Sequence, residues 1–258
     1  MTLLVSVFST KGGCGRTTVA TNLAYALHAA EAGRVCLVDL DLGFGDVATT
    51  LQLPVSRTLS GVLADPAAPL AELVTPIRPG LDALLAPSVP GETPRISADL
   101  VGGLLDRLVA SYQAVVVDTG AGFTGPVLAA LDRSDKLVLL TTPERPALLN
   151  LRLTLDAMDL LGYPRSAREI VVNRSDSDVG ITPAEVARVV RTPIAVHLPS
   201  SRDVPISINR GRPLVDAAPE HPVSQAIARL ARIALGRLPD PVPDPVPDAA
   251  SGPHPIDL

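Results

Sequence analysis

The sequence predicts an α/β fold: a doubly wound, mostly parallel sheet with helices on both faces. Three observations predict it. Short apolar runs alternate with helix-length stretches over residues 1–238. Most of those runs are apolar nearly throughout, as parallel strands covered on both faces are. The first run, Leu3-Leu4-Val5-Ser6-Val7-Phe8, leads straight into a glycine-rich turn at residues 9–15 and then a helix. A strand, a glycine turn and a helix in succession place a ligand at the carboxyl edge of an open sheet.

In chain order the expected strands are Leu3–Phe8, Val35–Leu40, Leu81–Ala86, Ala114–Asp118, Lys136–Thr141, Glu169–Asn173 and Ile194–His197. Helical stretches lie between them. In Thr17–Glu31, Val19, Leu23, Ala26, Leu27 and Ala30 share one face; Ala98–Ser111, Pro126–Leu131, Pro146–Leu161 and Pro183–Val190 follow. Residues 65–80 are turn-rich around a short helical candidate, Leu70–Val74, and suggest no second domain. A last helix, Val223–Leu238, lines up Ile227, Leu230, Ala234 and Leu238 on the side expected to cover the sheet. From Pro239 an acidic, proline-rich segment runs to Leu258. It is short of amide donors and apolar mass, so the expected organisation is one domain over 1–238 and a disordered tail over 239–258.

Composition narrows the function classes. At 47% hydrophobic and 19% charged, the 258-residue chain can build a real core. Aromatics are 2% and Trp is absent, so that core is Leu, Val, Ile and Ala, with few rings to stack single-stranded nucleic acid. A net charge of −5 gives no general attraction to DNA or anionic lipid. Cys14 and Cys36 show neither metal nor disulfide spacing, which points to a reduced, cytoplasmic setting. The first apolar run has no basic segment before it and is not read as a signal peptide. No stretch approaches the roughly 18 apolar residues of a membrane span.

The chemistry concentrates at the glycine turn. Gly12, Gly13 and Gly15 leave backbone N–H groups free to converge on an anion, and the following helix adds its positive end. Thr17 would offer a hydroxyl to Mg²⁺. Asp39 and Asp41 close the second strand, on the same side of it by alternation, and Asp118 closes a later one. One aspartate at a strand end merely starts a turn. Three of them on strands flanking a glycine loop point to a metal and a phosphate.

Lys11-Gly-Gly-Cys-Gly-Arg-Thr-Thr18, Val38-Asp-Leu-Asp41 and Val117-Asp-Thr-Gly120 together resemble the ParA/MinD group of deviant-Walker P-loop ATPases, a likeness covering about residues 1–238. Within that group, Leu40-Asp-Leu-Gly-Phe-Gly-Asp-Val47 and Arg57-Thr-Leu-Ser60 resemble the CpaE/TadZ branch, which positions the Tad pilus machinery. The receiver-like domain that often precedes the ATPase in that branch is not expected, because the motif begins at residue 9.

The resemblance implies ATP and Mg²⁺ as ligands and a nucleotide-dependent homodimer. By position, Lys11 reaches across the dimer to the partner's phosphates, Thr17 binds Mg²⁺ and Thr18 contacts phosphate. Asp39 lies near the metal, Asp41 orients the attacking water and Asp118 is the Walker B acid. Gly12, Gly13, Cys14, Gly15 and Arg16 complete the phosphate loop. Asn173 reads the adenine edge, which an amide's donor and acceptor suit; on its own it would be a turn residue after a strand. Pro199 and the loop beyond it close over the base.

The main departure is Arg16, which stands at the place of the P-loop lysine. Of 22 basic residues the lysines are Lys11 and Lys136, so a drift toward arginine is plain, yet Lys11 was spared. Arginine is planar and bulkier than lysine, so nucleotide binding is expected to survive while hydrolysis is slow or absent. Cys14 reads as a small packing residue ahead of a redox switch. His28, His197, His221 and His254 show no metal spacing, and no nucleophile-elbow sequence occurs.

The expected function is therefore an ATP-dependent switch for pilus, secretion or polar-localisation proteins, cytoplasmic and recruited to a pole or to the inner face of the membrane. The alternatives are a non-hydrolysing localisation scaffold and a septum-site or chromosome-partition ATPase. Arginines at 188, 191, 202, 210, 212, 229 and 232 could give partition its basic surface, against the chain's overall acidity. Membrane-bound septum selection needs an amphipathic C-terminal anchor, which the acidic proline tail does not make.

Overall fold

The structure, a computed structural model, describes residues 2–177 and 179–238. The tail expected over 239–258 lies outside the described residues. Among the described residues eight strands form one sheet: β1 (Leu3–Phe8), β2 (Val35–Leu40), β3 (Thr75–Arg78), β4 (Leu81–Leu84), β5 (Ala114–Thr119), β6 (Lys136–Thr141), β7 (Arg168–Asn173) and β8 (Ile194–Leu198). Their order is β3-β4-β2-β5-β1-β6-β7-β8, parallel throughout except the antiparallel β3–β4 pair. The helices are α1 (Arg16–Ala29), α2 (Val47–Leu51), α3 (Gly61–Ala64), α4 (Leu70–Leu73), α5 (Ala98–Ser111), α6 (Gly125–Leu131), α7 (Arg145–Leu160), α8 (Pro183–Val190), α9 (Asp203–Asn209), α10 (Leu214–Ala217) and α11 (Pro222–Ala234).

The apolar strands are buried on both faces, as doubly wound sheets require. Val5, Val7, Val35, Leu37 and Val116 point to a core shared with α1, α10 and α11. Their alternate neighbours Leu4, Cys36, Val38, Val115 and Val117 face α5 and α6. A third cluster joins Phe8, Leu139 and Ile170 to α7 and α8. Insertion of β5 between β2 and β1 brings Asp118 beside the glycine turn on one side and into register with Asp39 on the other.

The expected elements are largely present, and the differences have local causes. The strand β3 was not expected, since Thr75–Arg78 is four residues long and contains Pro76. It forms because it lies on the edge of the sheet, where a missing N–H costs no ladder bond. The strand β4 ends at Leu84 rather than Ala86, as the Leu85 carbonyl turns to accept from Leu59 N–H at 2.8 Å. The short helices α2, α3, α9 and α10 were also unforeseen; four or five residues carry no full helical period, and α9 contains Pro205.

Helix α1 is buried on most of its circumference rather than one face, with residues 19–27 all enclosed, because α10 and α11 cover its outer side. Asn22 survives there by donating to Thr18 O at 2.8 Å and accepting from Val215 N at 3.0 Å. Helix α11 packs its apolar side on α1 and β8, and burial of Ile227, Leu230 and Ile233 contributes about 1.5–3 kcal/mol each. It stops at Ala234, short of Leu238: Gly236 adopts φ +66° and Arg237 N–H returns to Arg232 O at 2.8 Å, a glycine C-cap.

Candidate functional site

The glycine turn sits at the carboxyl end of β1, where the strand stops at Phe8 and α1 starts at Arg16. Gly13 (φ +78°) and Gly15 (φ +96°) are left-handed, a conformation in which a side chain is strained. A Cβ on Gly15 would also meet Asn173 Nδ2 at 2.6 Å. Asn173 closes this contact by donating Nδ2–H to Cys14 O at 2.9 Å and accepting from Arg174 N–H at 2.9 Å through Oδ1. Each group keeps one further bonding capacity toward the cavity beside it. Cys14 itself is 2% exposed within the α1 core, the packing role expected of it.

Asp39 and Asp118 point by alternation to the α1 face, and both are fully buried. Their partners differ. Asp39 accepts from Asp41 N–H and Val47 N–H, each at 3.1 Å, and so holds the loop between β2 and α2. Neither Asp118 oxygen has a hydrogen-bond partner. Burial pushes the Asp118 carboxyl up to about 7; the Thr17 hydroxyl and Arg16 charge pull it back without a bond of full geometry. Asp39 is pushed well above the usual carboxylate range, first by burial and then by the Asp118 charge. A fully buried carboxyl with two unpartnered oxygens beside a threonine hydroxyl fits a hard divalent cation. Among the described residues no group of three or more His, Cys, Asp or Glu could hold a metal unaided, so phosphate and water oxygens would have to complete such a shell.

Two cations border the turn. Lys11 Nζ lies 2.6 Å from Glu144 Oε2, on the residue that precedes α7, so the chain's own carboxylate holds the lysine. Arg16 is more deeply set. Its Nε–H donates to Thr119 O at 2.8 Å, Nη1 to Ser9 O at 3.2 Å and Lys11 O at 3.5 Å, and Nη2 to Asp41 Oδ2 at 3.1 Å.

Beyond the turn a cavity of about 440 Å³ opens between Thr18 and Asn22 of α1, Asn173, Pro199 to Pro205 and Ile227 of α11. Its mixed polar and apolar walls suit a heterocyclic base. The loop after Pro199 thus forms one wall of this cavity. Asn22, Glu144 and Thr119 were missed: a buried asparagine, a helix-preceding glutamate and a main-chain carbonyl carry no sequence pattern.

Ser201, His221 and Asp203 also meet at this rim, with His221 Nε2 3.1 Å from Ser201 Oγ. His221 Nδ1 accepts from Val223 N–H at 3.1 Å, which leaves the imidazole proton on Nε2. The ring therefore donates toward the serine and cannot take its proton, so His221 serves as the cap of α11 and does not activate Ser201.

A glycine turn ahead of a helix, an unpartnered acid on the neighbouring strand and a cavity that shares Gly15 with the turn are the parts a nucleotide site needs, and the family comparison agrees. The profile described as CobQ/CobB/MinD/ParA nucleotide binding domain matches residues 5–215. The chain belongs to that family. It is 25% identical over 219 residues to the septum site-determining protein MinD of Thermotoga maritima, covering 82% of this chain and 80% of that one. The ParA family ATPase of Chlorobium tepidum superposes with a TM-score of 0.83 at 28% identity, over 90% of this chain and 99% of that one. MinD of Pyrococcus horikoshii, solved as a complex with Mg-ADP, gives 0.78 at 26% identity over 90% and 96%. Among the described residues no helix is long and apolar enough to cross a membrane.

Proposed function

We propose that the protein is an ATP-binding, homodimeric switch of the MinD/ParA type that positions cellular machinery and turns ATP over slowly. One observation carries the reading: the unpartnered, fully buried Asp118 carboxyl beside Thr17, at the strand end next to the glycine turn. Within the chain the Thr17 hydroxyl and the Arg16 charge act on it without a bond of full geometry, whereas a magnesium ion on a bound triphosphate would engage it directly.

In this reading residues 12–15 and Thr18 hold the phosphates with main-chain N–H groups and a hydroxyl, and Asn173 and the Pro199 loop hold the base. Thr17 and Asp118 hold Mg²⁺, with Asp39 acting through its remaining lone pairs while its main bonds keep the β2–α2 loop in place. The ion, when bound, neutralises charge on the phosphate oxygens. Asp41 orients water, and Lys11, released from Glu144, reaches the partner copy's phosphates. Titrating the full chain with ATP and ADP, with and without Mg²⁺, while molar mass is followed by light scattering tests this. Mg²⁺-dependent ATP binding with mass doubling is expected; nucleotide-independent mass would overturn the switch.

For the machinery positioned, the segments Leu40–Val47 and Arg57–Ser60 support a Tad-type pilus, whereas the MinD likeness supports septum placement. Loss of the protein's focal localisation on deletion of the pilus locus distinguishes them. A second reading, a scaffold that binds nucleotide without hydrolysing it, is favoured by the engagement of Asp41 with Arg16. Phosphate release no faster than in Asp41→Ala supports the scaffold.

A further inference from the structure

We infer that Arg16 and Asp41 form a phosphate-responsive latch, in which the guanidinium holds the Asp41 carboxylate until a terminal phosphate oxygen takes its place. The inference rests on the proposed ATP site and assigns position 16 a role that a lysine could not fill.

The geometry separates what is fixed from what can exchange. Carbonyls from two elements, Ser9 after β1 and Thr119 at the end of β5, set the plane of the guanidinium at 3.2 and 2.8 Å. These acceptors are neutral and leave its charge uncompensated. The anionic partner is Asp41 Oδ2 at 3.1 Å, with the Arg16 side chain only 12% exposed and Asp41 27%. A cation so secluded binds the strongest anion in reach, and a terminal phosphate carries more charge than a carboxylate and matches the same fork. Lysine's three donors radiate from a single nitrogen, whereas the guanidinium offers separate edges to the carbonyl cradle and to the anion.

Asp41 can leave without unfolding its loop. Its N–H is held by Asp39 Oδ1 at 3.1 Å and its carbonyl accepts from Gly45 N–H at 2.8 Å, both independent of Arg16. A nucleoside diphosphate has no terminal group at the third position, so the carboxylate stays held and no water is oriented. Arg16 is thus a positioning residue that makes Asp41 available only with triphosphate bound.

A double-mutant cycle on the full chain tests the latch, with a non-hydrolysable ATP analogue and ADP titrated calorimetrically in Mg²⁺. Asp41→Asn should tighten the analogue by about tenfold and ADP by less than about twofold. In an Arg16→Gln background the same change should shift either ligand by less than about twofold. Asp46→Asn, which removes a nearby exposed carboxylate with no bond to Arg16, measures the general effect of charge. Arg16→Lys stands in for Arg16→Gln should that variant not fold, and in that background Asp41→Asn should likewise shift either ligand by less than about twofold. Equal tightening of both ligands, or an undiminished Asp41→Asn effect without Arg16, overturns the latch alone. Failure of every variant, the natural chain included, to bind either nucleotide overturns the proposed function and the latch with it.

Discussion

The ends of β2 and β5 lie side by side, in register at Asp39 and Asp118, and each closes an apolar strand with an aspartate. Both carboxyls are fully buried. Yet one accepts two main-chain amides and the other has no hydrogen bond of full geometry. The difference comes from the chain that follows each strand: residues 41–47 fold back over Asp39, whereas residues after Thr119 run outward toward α6. Two similar strand endings thus become a carboxyl with main-chain partners and a carboxyl without them, and what decides between them is the supply of donors.

The largest effect expected from this contrast concerns magnesium. Asp118→Asn should reduce the affinity gain that Mg²⁺ gives ATP by about 100-fold, whereas Asp39→Asn should reduce it by less than about tenfold. Calorimetric titration with and without Mg²⁺ checks the ratio, and equal losses would break the comparison.

Stability of the ligand-free protein should change by different amounts. Asp118→Asn removes a buried charge and should stabilise at pH 8 by about 2–4 kcal/mol. Asp39→Asn also removes a buried charge but leaves one main-chain amide without its acceptor, an offset of about 1–3 kcal/mol, so it should stabilise less than Asp118→Asn in urea melts. The pH dependence follows from the raised Asp118 carboxyl. Between its ordinary range near 4 and about 7 the folded state binds more protons than the unfolded one, so this group's contribution is present at low pH and lost as pH rises through 7. The difference between natural chain and Asp118→Asn should therefore widen from pH 4 to pH 7 and be flat above it.

Smaller effects bear on the turn beside the two acids. Gly15→Ala forces a Cβ to 2.6 Å from Asn173 Nδ2 at a left-handed position and should cost about 1–3 kcal/mol, with weakened nucleotide binding. Lys11→Ala removes a pair that is 32% and 45% exposed and should change stability by less than about 0.5 kcal/mol, while abolishing nucleotide-dependent mass doubling.

Much of this was legible in the sequence. Seven strands, the glycine turn and the aspartates at strand ends follow from patterns that local sterics impose: apolar runs of strand length, glycine at left-handed turns, acids where a strand leaves the core. What was not legible depends on who stands opposite. Pro76 hides β3 until its place on the edge is known. The contrast between Asp39 and Asp118 and the Arg16 cradle are made with main-chain amides and carbonyls, which every residue possesses and no residue type signals. Lys11 could be read as a residue reaching outward, but its resting partner Glu144 lies far along the chain.

The outermost strand has one more consequence. Because Pro76 offers no amide hydrogen along β3, that border of the sheet makes a poor template for edge-to-edge zipping with a neighbouring copy. Runaway stacking into fibres through that edge is discouraged.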